Sequence, residues 1–251
     1  MGIDANIVKA GDVAAWTDAA VTLFVESATQ ALEERGRFSV ALAGGNTPRQ
    51  VYEKMANDPR VQALDWMKIS ILFGDERCVP PSDPASNAGM AATAFTDHIG
   101  IPAENVKRMR GELEPEEAAK DYEAVLVDLF GGTPGNGAPP KEAIDLVLLG
   151  LGTNGHTASL FPGLIWYTQP ERWVLAEYVE VATTWRLTLT PLVINAARKV
   201  VFLVEGDSKT EIVARVLEGP LDPIVLPSQT IASTPDPLWL LDDAAASALT
   251  R

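Results

Sequence analysis

Ile144-Asp145-Leu146-Val147-Leu148-Leu149-Gly150-Leu151-Gly152-Thr153-Asn154-Gly155-His156 joins a continuous apolar run to a glycine-rich polar turn. An apolar run of this length without alternation reads as a strand buried on both faces, the kind found in parallel sheets. The same grammar recurs along the chain. Phe38 to Ala43 runs into Gly44-Gly45-Asn46-Thr47, Ile69 to Phe73 into Gly74-Asp75-Glu76-Arg77, and Val200 to Val204 into Glu205-Gly206-Asp207-Ser208-Lys209. Amphipathic segments lie between these runs. Asp12 is placed to cap a helix carrying Val13, Trp16, Ala20, Leu23, Phe24 and Ala31, and Tyr122, Val125, Leu126, Leu129 and Phe130 form another apolar stripe. Thr47-Pro48-Arg49-Gln50 and Ser208-Lys209-Thr210-Glu211 read as capping boxes opening two further helices. Alternation of this kind predicts an α/β protein, a mostly parallel, Rossmann-like sheet with helices on both faces.

Gly131 to Pro140 holds seven Gly or Pro in ten residues and reads as a loop, because strand–helix alternation resumes beyond it. Residues 1–251 are therefore expected to form one domain. The 251-residue chain is 47% hydrophobic and 22% charged, an ordinary balance for a globular protein. No apolar run reaches the ~18 residues of a membrane span, and no secretory signal is expected from Met1-Gly2-Ile3-Asp4-Ala5-Asn6. A lone cysteine, Cys78, rules out an internal disulfide framework and suits a reducing, cytoplasmic setting. Beside the charged Asp75-Glu76-Arg77 it has no base adjacent in sequence, so a structural role is expected of it.

Twenty Lys and Arg stand against 34 Asp and Glu, a net charge of −14. Such a surface repels nucleic acid, and a small anionic metabolite would need a local cluster of cations to bind at all. In open α/β sheets ligands bind beyond the carboxyl ends of the strands. If the four strands are parallel, their four polar turns share that edge. Gly44-Gly45-Asn46-Thr47 at a helix start is either an anion-binding turn or a tight turn with Thr47 as a plain N-cap. Its glycine spacing matches neither the dinucleotide fingerprint nor the Walker loop. Lys209 at a second helix start is either a solvated lysine or a charge added to an anion site, and Asp75-Glu76-Arg77 is either a salt-bridged strand end or a turn that offers the planar fork of Arg77 to a phosphate. In Thr184-Trp185-Arg186-Leu187-Thr188-Leu189 the alternation presents Arg186 inward with Trp185 facing away, or places it on the surface. His156, one of two histidines, is either a loop histidine bonded to backbone or a group well placed for acid–base work near neutrality. His98, at a helix end before Gly100, reads as a dipole partner, and Lys107, Arg108 and Arg110 beside their glutamates read as a solvated stretch. Histidines and cysteine show no zinc spacing, so no metal is expected.

Taken together, Gly44-Gly45-Asn46-Thr47-Pro48, Phe73-Gly74-Asp75-Glu76-Arg77 and Gly155-His156-Thr157-Ala158-Ser159-Leu160-Phe161-Pro162-Gly163 resemble the 6-phosphogluconolactonase family. Arg186-Leu187-Thr188-Leu189-Thr190, Ser208-Lys209 and Trp239-Leu240-Leu241-Asp242 extend the likeness, in order, over nearly the whole chain. The resemblance implies a fold shared with glucosamine-6-phosphate deaminases and ribose-5-phosphate isomerases. It also implies hydrolysis of 6-phospho-glucono-lactone to 6-phosphogluconate in the oxidative pentose phosphate pathway, by a monomer or homodimer needing no metal or organic cofactor. By it His156 would be the base that activates water, with Asp75 and Asn154 beside it. Arg77, Arg186, Lys209 and the turn Gly44, Gly45, Asn46, Thr47 would hold the phosphorylated sugar lactone. One position departs from the pattern: the usual Asp-Gly-His is here Asn154-Gly155-His156. If residue 154 contacts the imidazole, the lost charge should weaken activity; if it only shapes the turn, little should change. The competing expectations are an amino-sugar-phosphate isomerase or deaminase, and a non-catalytic sugar-phosphate sensor. The continuation Thr157-Ala158-Ser159-Leu160-Phe161 and Arg77 disfavour the deaminase pattern, and the retained His156 disfavours the sensor.

Overall fold

A computed structural model describes residues 3, 5–233 and 235–250. Its strands are β1 Asn6–Lys9, β2 Phe38–Leu42, β3 Ile69–Phe73, β4 Asp75–Arg77, β5 Leu146–Leu149, β6 Val174–Val179, β7 Thr184–Leu189, β8 Val200–Val204 and β9 Leu238–Leu241. The helices are α1 Val13–Arg35, α2 Asn46–Ala56, α3 Pro59–Gln62, α4 Asn87–Ala94, α5 Pro115–Phe130, α6 Pro191–Ile194 and α7 Thr210–Glu218. Six strands make a sheet in the order β1-β9-β8-β5-β2-β3, parallel at every pairing. Successive side chains of a strand leave on opposite faces. Val40, Leu42, Leu146 and Leu148 accordingly meet Trp16 and Phe24 of α1, Tyr52 and Met55 of α2, and Ala91 of α4. Ala41, Val147 and Leu149 meet Tyr122 and Leu126 of α5 and Val213 and Val216 of α7 on the other face. Both faces are dry, which is why the strands read as unbroken apolar runs.

Two helix starts differ from expectation. Gly45, at φ +100°, turns the chain early, so α2 begins at Asn46 with no side-chain cap, and the Thr47 hydroxyl donates to Glu205 Oε1 at 3.2 Å instead. Gly206, at φ +92°, likewise starts a 3-10 turn over Asp207–Lys209 before α7, and no side chain caps that helix either. Neither capping box forms. Asp12 does cap α1, accepting from the Ala15 N–H at 2.9 Å.

A second, antiparallel sheet of order β4-β7-β6 stands at the carboxyl edge of the first. Gly74 joins the two: its N–H donates to Leu42 of β2, while its carbonyl accepts from Leu189 of β7. The run Ile69 to Arg77 is thus one chain direction serving two sheets. Gly131–Pro140 contains neither helix nor strand, and β5, which follows it, lies between β2 and β8. Among the described residues no helix is long and apolar enough to cross a membrane.

Candidate functional site

The carboxyl ends of β2, β3, β5 and β8 open together on a cavity of about 240 Å³. Gly44, Gly45, Asn46, Thr47, Asp75, Arg77, His156, Arg186 and Lys209 all line it, and Asn154 touches it through His156. Parallel pairing sends all four turns to one edge, while the antiparallel sheet reaches in from the side with Arg77 on β4 and Arg186 on β7 in direct register.

The imidazole is held on three sides. Its Nδ1 lies 2.6 Å from Asn154 Oδ1, which also accepts the backbone N–H of His156 at 3.2 Å. An oxygen that receives a backbone N–H cannot be the amide nitrogen, so Nδ1 is the donor and Nε2 keeps the lone pair. Phe161 stacks on the ring, centroids 4.0 Å apart and planes 17° from parallel. Gly152 leaves the ring its space: a Cβ there would lie 2.0 Å from Nδ1. Burial, with the Arg186 and Lys209 charges adding to it, pushes His156 down to about 4. At neutral pH the ring is therefore the free base.

Cations gather around it. Arg186 stands with its guanidinium 5.7 Å from the Phe161 centroid and 4.0 Å from the carboxylate of Asp75. Burial, and then the neighbouring Arg77, lowers its pKa. The Nε atoms of Arg77 and Arg186 are buried without an acceptor among the described residues. Arg77 uses another nitrogen to hold the Ala85 carbonyl. Lys209 donates one of its three N–H groups to the Leu151 carbonyl at 2.8 Å and keeps two. Burial lowers its pKa too. Three cations outnumber the neighbouring carboxylates of Asp75 and Glu205 and make a locally positive cleft in a protein of net charge −14, one suited to a phosphate or carboxylate. The uncapped start of α2 also lines the cleft, and the N-terminal end of a helix favours an anion.

Asp75 is 6% exposed and fully engaged: Oδ2 accepts from Ser159 Oγ at 2.7 Å and Oδ1 from Asn87 Nδ2 at 3.1 Å. Glu76 faces away from the cleft and accepts from the Arg77, Asn87 and Ala88 N–H groups and from Ser86 Oγ. It binds the start of α4 to β4, and burial raises its pKa. Ser159 and Phe161 lie within the Gly155–Gly163 motif without a local pattern that marks them, and nothing in the sequence around Asn87 marks it as part of the cleft. Cys78 lies outside the cleft, with burial pushing its thiol up to about 11, so it is no nucleophile. His98 sits against the Thr93 carbonyl at the end of α4, as expected of a dipole partner. Arg108 and Arg110 pair with Glu112 and Asp121, and among the described residues no three His, Cys, Asp or Glu side chains cluster to hold a metal.

A family model described as glucosamine-6-phosphate isomerases/6-phosphogluconolactonase matches residues 11–239. A 6-phosphogluconolactonase of Synechocystis sp. is 40% identical over 222 residues, covering 88% of each chain. One from Haemophilus influenzae is 35% identical over 211 residues, 84% of this chain and 87% of its own. Among solved structures, 6-phosphogluconolactonase from Trypanosoma cruzi superposes with a TM-score of 0.83 at 28% identity, over 100% of this chain and 99% of that one. A monomeric glucosamine-6-phosphate deaminase superposes with a TM-score of 0.80 over 97% of this chain and 100% of its own, but at 21% identity, a likeness of fold alone.

Proposed function

The chain belongs to the glucosamine-6-phosphate isomerase/6-phosphogluconolactonase family, and from that premise we propose that it hydrolyses 6-phospho-D-glucono-1,5-lactone to 6-phospho-D-gluconate in the oxidative pentose phosphate pathway. The observation that carries this reading is a neutral imidazole with one nitrogen pinned and the other free, set beside three cations in one cleft.

A lactone carbonyl is already electrophilic, so no covalent nucleophile is required. Arg77, Arg186, Lys209 and the Gly44–Thr47 turn hold the phosphorylated lactone, using the phosphate as a remote handle that orients the ring. His156 Nε2 takes a proton from water as the water oxygen bonds to the carbonyl carbon. Negative charge then developing on the carbonyl oxygen is stabilised by the positive cleft. As the carbon–ring oxygen bond breaks, the imidazolium returns its proton to the leaving oxygen, and the new carboxylic acid ionises in solution. Asp75 acts as a positioning residue, since its oxygens already serve Ser159 and Asn87. Asn154 sets the ring's tautomer.

The experiment is turnover of lactone generated in place by glucose-6-phosphate dehydrogenase, with acid release followed above the spontaneous rate. Wild type should accelerate it, and His156→Ala should lose roughly 100-fold or more, the usual scale of general base catalysis. Acceleration retained in the variant would remove the base from His156; no acceleration by wild type would refute the lactonase.

A further inference from the structure

Asn87 is 1% exposed, opens α4 immediately after its cap Ser86, and lines the cleft. Both hydrogens of its amide are committed, one to the Asp75 carbonyl at 2.9 Å and one to Asp75 Oδ1 at 3.1 Å. Rotating the amide would turn its oxygen towards two other oxygens, so the orientation is locked. The remaining atom, Oδ1, is buried and receives no donor from any described residue. Beside it is Gly44, whose missing side chain is a steric necessity: a Cβ would lie 2.0 Å from that oxygen. A buried acceptor left without a donor is costly, and folded proteins rarely tolerate one unless a ligand or water completes it.

We infer that Asn87 Oδ1 accepts a hydrogen bond from a ring hydroxyl of the substrate and makes the enzyme select for that hydroxyl. A phosphate completes this atom poorly, because with a second pKa of about 6 it is mostly a dianion at neutral pH, and a dianion's oxygens only accept. The cleft divides accordingly. Arg77, Arg186 and Lys209 offer donors to an anion, whereas Asn87 Oδ1 offers an acceptor to a hydroxyl. This rests on the lactonase reading for the identity of the ligand, and adds which part of it is read. A site built to bond a hydroxyl rejects the analogue lacking it more strongly than a merely apolar pocket does, because a buried polar atom is then left unpaired.

The test compares the natural lactone with its 2-, 3- and 4-deoxy analogues, prepared from the corresponding deoxyglucose 6-phosphates. In wild type one analogue should lose roughly 10- to 100-fold in kcat/KM. Asn87→Ala should be slower overall yet handle that analogue and the natural lactone within about twofold of each other. Asn87→Leu keeps the shape of the side chain and removes its polar atoms, and should likewise lose the preference; it decides the matter if the alanine variant does not fold. A purely structural Asn87 would slow every lactone equally. Wild type treating all three analogues alike, or a preference that survives in Asn87→Ala or Asn87→Leu, overturns the inference. Calorimetric binding of the open 6-phospho acids, natural and deoxy, reads the same contact without turnover. Should no lactone be hydrolysed, the proposed function falls, and the binding ratio still decides the role of Asn87.

Discussion

At the scale of single residues, the asparagine at 154 acts through its carbonyl oxygen. Replacing a triad aspartate by asparagine is severe where the amide presents the wrong group and the histidine adopts the wrong tautomer. Here the His156 backbone N–H holds the same oxygen, so Nδ1 remains a donor and Nε2 a base. What is missing is charge. A carboxylate 2.6 Å from the ring would favour imidazolium and raise the pKa that burial has depressed to about 4. Asn154→Asp should therefore raise kcat, on the order of tenfold as general base catalysis strengthens with basicity. The acid limb of the kcat/KM profile, expected at about pH 4 in wild type, should move towards neutrality. Rate profiles from pH 4 to 7 check both, and an unmoved limb would mean that residue 154 does not set the basicity of His156.

At the scale of elements, the turn after β5 is a mould for the imidazole. Its closure runs through Gly152 N–H to the His156 carbonyl at 2.8 Å and Gly155 N–H to the Gly152 carbonyl at 2.9 Å. The two glycines serve different ends. Gly155 adopts φ +83°, a conformation that L side chains resist, whereas Gly152 has an ordinary backbone and is small only because the ring occupies its side-chain space. Gly152→Ala should then leave the turn intact and push the imidazole aside. A displacement near 1 Å costs about 100-fold in rate. Steady-state kinetics should show that loss with a melting temperature close to wild type; full activity would mean the ring has slack that its packing on Phe161 does not suggest. The same logic applies at Gly44, where the excluded Cβ protects Asn87.

For the whole molecule, the depressed pKa of His156 makes stability depend on pH. The unfolded chain binds a proton at His156 with an ordinary pKa near 6.5, the folded chain only near 4. Between these values the unfolded state carries more protons, so this histidine's contribution is present above pH 6.5 and is lost as pH falls towards 4. Glu76 works in the opposite sense, since burial raises its pKa in the folded state. The comparison that isolates His156 is wild type against His156→Gln, in which Glu76 and His98 are common to both. Wild type should lose several degrees more in melting temperature than the variant between pH 7 and pH 4.5. Parallel losses would place the folded-state pKa near its ordinary value.

Local patterning by itself determined the four buried parallel strands, the helices between them and the glycine turns at their carboxyl ends. Apolar periodicity and glycine are properties of a few neighbouring residues, and parallel pairing then carries every turn to one edge. That marked Gly44, Gly45, Asn46, Thr47, Arg77, His156 and Lys209 from the turns themselves, whereas Arg186 stayed open between cleft and surface, and Asp75 and Asn154 took their roles from the family resemblance. All but Asn154 line the cleft, and Asn154 adjoins it at His156. Only the tertiary structure decided the rest. The second sheet depends on pairing Asp75–Arg77 with Arg186–Thr188, a match across more than a hundred residues that no local window contains, and it is this register that sets Arg186 beside Arg77. The helix starts at Asn46 and Thr210 follow from where Gly45 and Gly206 turn the chain, not from the cap residues nearby. The basicity of His156 and the empty acceptor of Asn87 are likewise properties of the assembled cleft, because burial and the loss of water create both.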